Sequence, residues 1–421
     1  MLSWASRLDI FCFLDNHEYG IPPHSYECLL GAGAVSTLRI TAGQSGAFDS
    51  LEEFSRGQDD WLFGHFSYDL KNELGPFTSH HPDFIGFPDL LFFVPEIVIE
   101  LNRDSIRIGV LSSGPEDPGN VAEAILAKIL ATPFSPLNNP VINRMGPLQA
   151  RFSREEYIRT VERLREHILR GDCYEINFCQ EFFIEEALID PLTTWLALSE
   201  ASPSPFGAFY KVDSKYLFCA SPERYLHRQS DLLLSQPIKG TWARSLQDPG
   251  EDRLNRDLLY HSAKDRSENV MVVDLVRNDL SRVCIPGTVK VEELYGIYSF
   301  PQVHQMISTV SGKMVPGTSW VESIRATFPM GSMTGAPKKR VMELVEQYEK
   351  TRRGLYSGAL GYVSPGGDFD FNVVIRSILY DRDHRYLSYQ VGSGITFYSD
   401  PVAEYKECLL KAAGIKKALG I

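Results

Sequence analysis

Apolar residues fall along this chain in two rhythms, and the switches between them mark out its elements. Short runs of strand length, DIFCFL, WLFGHFSYDL and DLLFFVPEIVIEL, come first. The last is broken by Pro95 and Glu96 and is too short to span a bilayer, so it predicts two sheet strands. An alanine-rich helix follows near Val121–Ala131, and the proline- and asparagine-rich stretch Thr132–Pro147 reads as a loop joining two parts of the chain.

Beyond that loop, Ser153 and Glu156 form the S-x-x-E box that opens a helix. Tyr157, Val161, Leu164 and Ile168 then recur at helical spacing, and Gly171 ends it. The segments YEINFCQEFFI, GAFYKV, KYLFCAS and DLLLSQPI predict strands, and Glu251 to about Val283 predicts a long helical region. A helix over Pro337–Lys350, strands at ALGYVS, NVVIRSILY and YLSYQVG, and a helix from Pro401 complete the chain. Strands come in consecutive runs with irregular helices, which favours an α+β, largely antiparallel fold over strict βαβ units.

Composition narrows the class. The chain has 421 residues, 43% of them hydrophobic and 23% charged, as ordinary globular proteins do. A net charge of −12 with no basic stretch excludes a nucleic-acid binder. The seven cysteines are scattered, with no CxxC pair, so neither a disulfide framework nor a zinc site is expected. That usage, and an N-terminus without a signal-like apolar core, points to the cytoplasm.

Several residues carry candidate chemistry. Asp265 and Glu268, and again Glu404 and Glu407, stand three apart on predicted helices. Each pair can aim two carboxylates at one point, and two such faces meeting would make an oxygen site suited to magnesium. The bland alternative is a solvated acidic face, with Glu407 paired to Lys411. Two glycine-rich stretches, GSMTGAP (331–337) and VGSGIT (391–396), offer backbone N–H groups to an anion. Arg376, in a strand-like run, suits a carboxylate fork, and Tyr356 offers a phenolic hydrogen bond. His304 reads as a ligand-facing imidazole or a satisfied core histidine. Lys239 ends an apolar strand, an unfavourable place for an ammonium, and a hairpin would bring Glu223 near it as an acid/base partner.

The motifs SPERYL, PIKGTWAR, SAKDRSENVMVVDLVRNDLSRV, FPMGSMTGAPKKRVMELV, SGALGYV, VVIRSI, GSGI and AEYKE, in this order, resemble those of the chorismate-utilising enzymes. The resemblance runs from about Arg151 to Ala418. That family includes anthranilate synthase component I, aminodeoxychorismate synthase component I, isochorismate synthase and salicylate synthase. Membership implies two large antiparallel sheets packed face to face with helices outside. Residues 1–140 would contribute strands and a helix to that common fold, and 150–421 would form the chorismate-binding catalytic region. Within the family the sequence Pro237-Ile238-Lys239-Gly240-Thr241 is similar to aminodeoxychorismate synthases, whereas anthranilate synthases generally carry alanine at the lysine position.

The resemblance assigns roles. Lys239 would attack C2 of the chorismate ring, Glu223 would protonate the departing C4 hydroxyl, and ammonia would then displace the lysine. His304 would lie near the leaving hydroxyl. Glu268 and Glu407 would bind Mg2+, with Asp265 and Glu404 around it. Tyr356, Arg376 and the backbone of Gly392, Ser393 and Gly394 would hold the enolpyruvyl carboxylate. Thr334, Gly240 and Thr241 would line the substrate. Ammonia would come from a separate glutamine amidotransferase subunit, since no glutaminase motif is visible. The alternatives are anthranilate or isochorismate formation and, more distantly, a non-catalytic subunit of an amidotransferase complex. Glu175 stands where isochorismate and salicylate synthases carry a lysine base and where amine-transferring members usually carry glutamine. A carboxylate there, beside an anionic substrate, is expected to turn outward or to carry a proton. No LLES-like motif marks a tryptophan pocket near the N-terminus, so no tryptophan feedback is expected.

Overall fold

The computed structural model describes residues 1–19, 26–111, 117–133, 145–300 and 303–421. Most of the predicted 132–147 loop lies outside the described residues. Two sheets, of eleven and ten strands among the described residues, form the body of the protein, and every recorded strand pair is antiparallel. Apolar side chains of both sheets interdigitate in one core, from Phe63, Phe92 and Phe371 on one to Tyr210, Leu217 and Leu379 on the other. A second core lies on the outer face of the larger sheet, where helices Arg154–Leu169, Pro191–Ala201, Lys338–Tyr348 and Pro401–Lys411 pack. This is the α+β, face-to-face arrangement the sequence implied. The part before residue 111 enters both sheets, with Ile10–Asp15 in the larger and Leu62–Phe66 in the smaller.

The predicted capping box is present: Ser153 accepts from the Glu156 N–H and Glu156 from the Ser153 N–H. Other predicted elements divide where the chain changes sheet. DLLFFVPEIVIEL gives Leu90–Val94 in the smaller sheet and Ile97–Asn102 in the larger, with Pro95 and Glu96 between. NVVIRSILY is likewise not one strand, because Phe369–Val373 belongs to the smaller sheet and Ser377–Asp381 to the larger. Arg376 lies in that corner with a left-handed φ of 50°. The region 251–283 is two helices, Pro249–His261 and Ala263–Leu280, parted at Ser262, whose hydroxyl caps the second through the Asp265 N–H.

One further corner runs beside that of Arg376. Strand Lys215–Ser221 of the larger sheet passes through Pro222 and Glu223 into Arg224–Gln229 of the smaller. The two corners are hydrogen-bonded to each other. The Ala220 N–H donates to the Arg376 carbonyl (3.2 Å) and the Val373 N–H to the Glu223 carbonyl (3.0 Å). An acid and a guanidinium thereby reach the same gap between the sheets.

Candidate active site

Lys239 sits in strand Ile238–Ala243, entered through Pro237, which ends the preceding strand Leu232–Gln236. Its side chain is only 11% exposed, and its ammonium donates to Glu175 Oε1 on strand Glu175–Ile184 of the other sheet. Burial pulls the lysine down, but Glu175, Glu268 and Glu223 outweigh it and hold the ammonium above the ordinary lysine range. Of the two arrangements expected for Glu175, the outward one is not found: it is 2% exposed, and its second oxygen, Oε2, is buried without a partner. Gly394 makes room for the pair, because a Cβ there would lie 2.8 Å from Glu175 Oε1 and 3.0 Å from Lys239 Nζ.

Glu223 is buried, and burial pushes its carboxyl up to about 7, against the opposing pull of Ser332, Lys239, the Ile238 N–H and Arg376. A carboxyl near 7 can give up a proton at neutral pH, as a general acid must. Arg376 faces it from the neighbouring corner, and among the described residues no hydrogen bond or ion pair holds its guanidinium, so its fork is available to a carboxylate. The next residue, Arg224, is fully buried and bonded twice to Asp370 at 3.0 Å and to Gln236 at 2.6 Å, which holds the start of strand Arg224–Gln229 in place.

The acidic helices meet. Lys264 Nζ lies 3.8 Å from Glu268, 3.5 Å from Glu404 and 3.9 Å from Glu407, so one cation is shared by carboxylates of helices Ala263–Leu280 and Pro401–Lys411. Glu268 Oε1 and Glu404 Oε2 are buried with no hydrogen-bond partner. Burial raises Glu268 to about 7, with Lys239 pulling against it, whereas Lys411 lowers Glu407. Among the described residues no three such side chains already stand in ligating geometry around one point, the place between them being taken by the ammonium. Oxygen-only donors, orphaned lone pairs and a resident cation fit a hard divalent ion such as Mg2+. Asp265, one turn before Glu268 on the same helix, has its Oδ1 3.0 Å from where a Gly240 Cβ would be. Lys264 escaped the sequence reading, although its spacing to Glu268, four residues on, is an ion-pair signal.

Other expectations need correction. His304 is a satisfied core histidine: its Nδ1 is 2.9 Å from the Ser299 hydroxyl and its Nε2 3.1 Å from Asp252, so neither nitrogen is free for a leaving hydroxyl. VGSGIT is no nest but the end of strand Tyr386–Thr396, with Gly392 opposite Cys179 and Gly394 opposite Asn177. Strand alternation turns the Ser393 side chain to the outer layer, 3.4 Å from the Tyr157 hydroxyl, leaving only its backbone to the site. Thr334 is fully buried and its hydroxyl donates within its own turn, to the Met330 and Gly331 carbonyls. Ser332, one turn residue the sequence reading did not single out, is the one that reaches Glu223. Tyr356 is buried with its hydroxyl 3.8 Å from Cys179 Sγ, beneath Gly392, whose added Cβ would lie 2.4 Å from that sulfur. Thr241 is exposed.

A buried lysine, a raised carboxyl, an unpaired guanidinium and an acidic cation site thus converge around Lys239. A profile of the chorismate binding enzymes matches residues 22–417. The chain belongs to this family. The match reaches well before Arg151, where the sequence resemblance began, in keeping with N-terminal strands in both sheets. Aminodeoxychorismate synthase component 1 of Escherichia coli (strain K12) is 33% identical over 85% of this chain and 76% of that protein. The chloroplastic aminodeoxychorismate synthase of Arabidopsis thaliana is 36% identical over 83% of this chain and 39% of that protein. The chain thus spans well under half the length of the plant relatives it matches. Anthranilate synthase component I from Streptococcus pneumoniae TIGR4 superposes with a TM-score of 0.80 at 25% identity, covering 95% of this chain and 93% of that one. No described helix of this chorismate binding enzyme is long and apolar enough to cross a membrane.

Proposed function

We propose that this chain is an aminodeoxychorismate synthase component I, aminating chorismate at C4 to give 4-amino-4-deoxychorismate, a precursor of para-aminobenzoate and folate. The observation that carries the reading is the buried Lys239 amine in one site with Glu223, since an amine there is what an added nucleophile at C2 requires. Relatives named aminodeoxychorismate synthase in bacteria and plants support it.

In the mechanism, neutral Lys239 forms a C–N bond at C2 while the C4–O bond breaks, and Glu223 gives its proton to the departing hydroxyl, which leaves as water. Arg376 holds a substrate carboxylate and keeps the ring in line. Ammonia then bonds at C4, the C2–N bond breaks, and Glu223 takes back a proton from the new ammonium. Mg2+, held by Glu268 and Glu407 with Glu404 beside them, would neutralise the ring carboxylate. Lys264 would have to yield its place to that ion. Ammonia is supplied by a glutamine amidotransferase subunit, consistent with the bacterial relatives' designation as component 1. The setting is the soluble phase of the cytoplasm.

Incubation with chorismate, Mg2+ and ammonium, followed by chromatography, tests the reading. 4-Amino-4-deoxychorismate is expected. Fluorescent anthranilate, or isochorismate, would replace it with another reaction of the same family, and no turnover with the partner present would leave a non-catalytic subunit.

A further inference from the structure

Lys239 must be a free amine to attack, yet its surroundings hold it as an ammonium. Glu175, Glu268 and Glu223 all face it, from three different elements, and Glu407, Lys264 and Arg376 surround those carboxylates. Among the described residues only Glu175 touches the nitrogen. It does so from the strand floor, 2% exposed, with its other oxygen buried and unpartnered. Glu223 is committed to the leaving hydroxyl and Glu268 to the cation site. Two bare backbones frame the pair. A Cβ on Gly394 would strike both members, and Gly335, at φ +147°, lets the 331–335 turn approach to where a Cβ would lie 2.1 Å from the Glu175 carbonyl.

We propose that Glu175 is the general base of this enzyme, taking the proton from Lys239 before attack and returning it when the lysine is expelled. The inference rests on the covalent aminodeoxychorismate reading above. The proton count closes. The Lys239 ammonium and Glu175 carboxylate become an amine and a carboxylic acid. The amine adds at C2, acquiring positive charge as a secondary ammonium, and leaves as a neutral amine when ammonia adds at C4. Glu175 then protonates it, restoring the ion pair, with chorismate and ammonia having become product and water.

The test is kcat for the wild type and for Glu175→Gln, in the presence of the amidotransferase partner, across pH 7 to 9. Free ammonia is held constant across that range. At pH 7 the variant is expected to be slower by about 10²-fold, with KM for chorismate little changed. The ratio of variant to wild type should climb by up to about tenfold per pH unit, because Lys239 must now lose its proton to water. Glu175→Asp, which keeps a carboxylate, should follow the wild-type pH dependence even if slower. A ratio that is flat with pH, or an aspartate variant that follows the glutamine one, overturns the inference. If the wild type makes no 4-amino-4-deoxychorismate, the functional reading falls instead.

Discussion

Two buried ion pairs meet strand Glu175–Ile184, and they are built oppositely. Arg353, 2% exposed, donates to both oxygens of Glu349 (2.7 and 3.0 Å), to the carbonyls of Met333 (2.6 Å) and Asn177 (2.7 Å), and to Ser357 at 3.5 Å. Glu349 Oε1 also accepts from the Cys179 N–H at 2.9 Å. Every group in that network is used, and it ties the 331–335 turn to strand Glu175–Ile184. Lys239–Glu175 has one contact and a spare, buried oxygen. A fully satisfied pair fixes geometry, whereas an under-satisfied one stores charge for a ligand or a proton to resolve. The same contrast separates Arg224, locked to Asp370, from Arg376, left open.

Substitution should separate the two pairs by what each destroys. Lys239→Ala is expected to lower 4-amino-4-deoxychorismate formation by at least about 10⁴-fold, near 5.5 kcal/mol, while the fold persists. Because alanine is also the anthranilate-type residue, the product must be identified by chromatography, and unchanged turnover would end the covalent reading. Arg353→Leu should do the converse. Stripping one partner from a buried pair costs about 3–5 kcal/mol, read as a lower urea midpoint at unchanged slope. A variant of normal stability would mean that Glu349 finds other partners.

The strands and their faces were legible in the sequence because burial on both sides writes continuous apolar runs. What it hid was the change of sheet. DLLFFVPEIVIEL and NVVIRSILY read as local strand signals, but nothing local says that their halves pair with strands roughly 50 to 165 residues away in different sheets. Arg376 therefore looked like a strand residue when it is a corner residue. Likewise Lys239, Glu223, Glu268 and Glu407 were legible through ordered motifs, while the partners that decide their chemistry were not. The contact of Lys239 with Glu175 spans 64 residues and two sheets, and Lys264's three carboxylates come from two helices. The ligand-facing reading of His304 failed for a related reason: which partners its ring meets depends on a register the sequence does not print.

Glu223→Gln sharpens the comparison from the acid side. The amide keeps the shape but cannot protonate a leaving hydroxyl, so kcat should fall by about 10²–10⁴-fold with KM little altered. In the wild type the acid must be protonated, so kcat is expected to decline as pH rises through about 7, and this limb should be missing in the variant. Stability should move the same way. Glu223 binds its proton more tightly folded than unfolded, so between the ordinary 4.5 and about 7 the folded state loses stability as pH rises. A wild-type unfolding midpoint that rises across that window would contradict the burial of this carboxyl as an acid.

The smallest effect is expected at Gly394. Its added methyl would meet Glu175 Oε1 at 2.8 Å and Lys239 Nζ at 3.0 Å, both ends of side chains that can shift by a few tenths of an ångström. Gly394→Ala therefore should not unfold the strand, whose backbone pairing to Asn177 needs no glycine. It should instead pry the lysine from its carboxylate, at a cost of about 1–3 kcal/mol typical of overpacking. If Glu175 handles the proton of Lys239, kcat falls beyond what the urea midpoint loses, and the variant's pH profile leans towards that of Glu175→Gln. Gly392→Ala provides the contrast, since its Cβ would strike Cys179 Sγ at 2.4 Å and the Phe178 carbonyl at 2.6 Å. A backbone oxygen cannot step aside, so that variant should lose stability, leaving the pH profile of any folded enzyme unchanged.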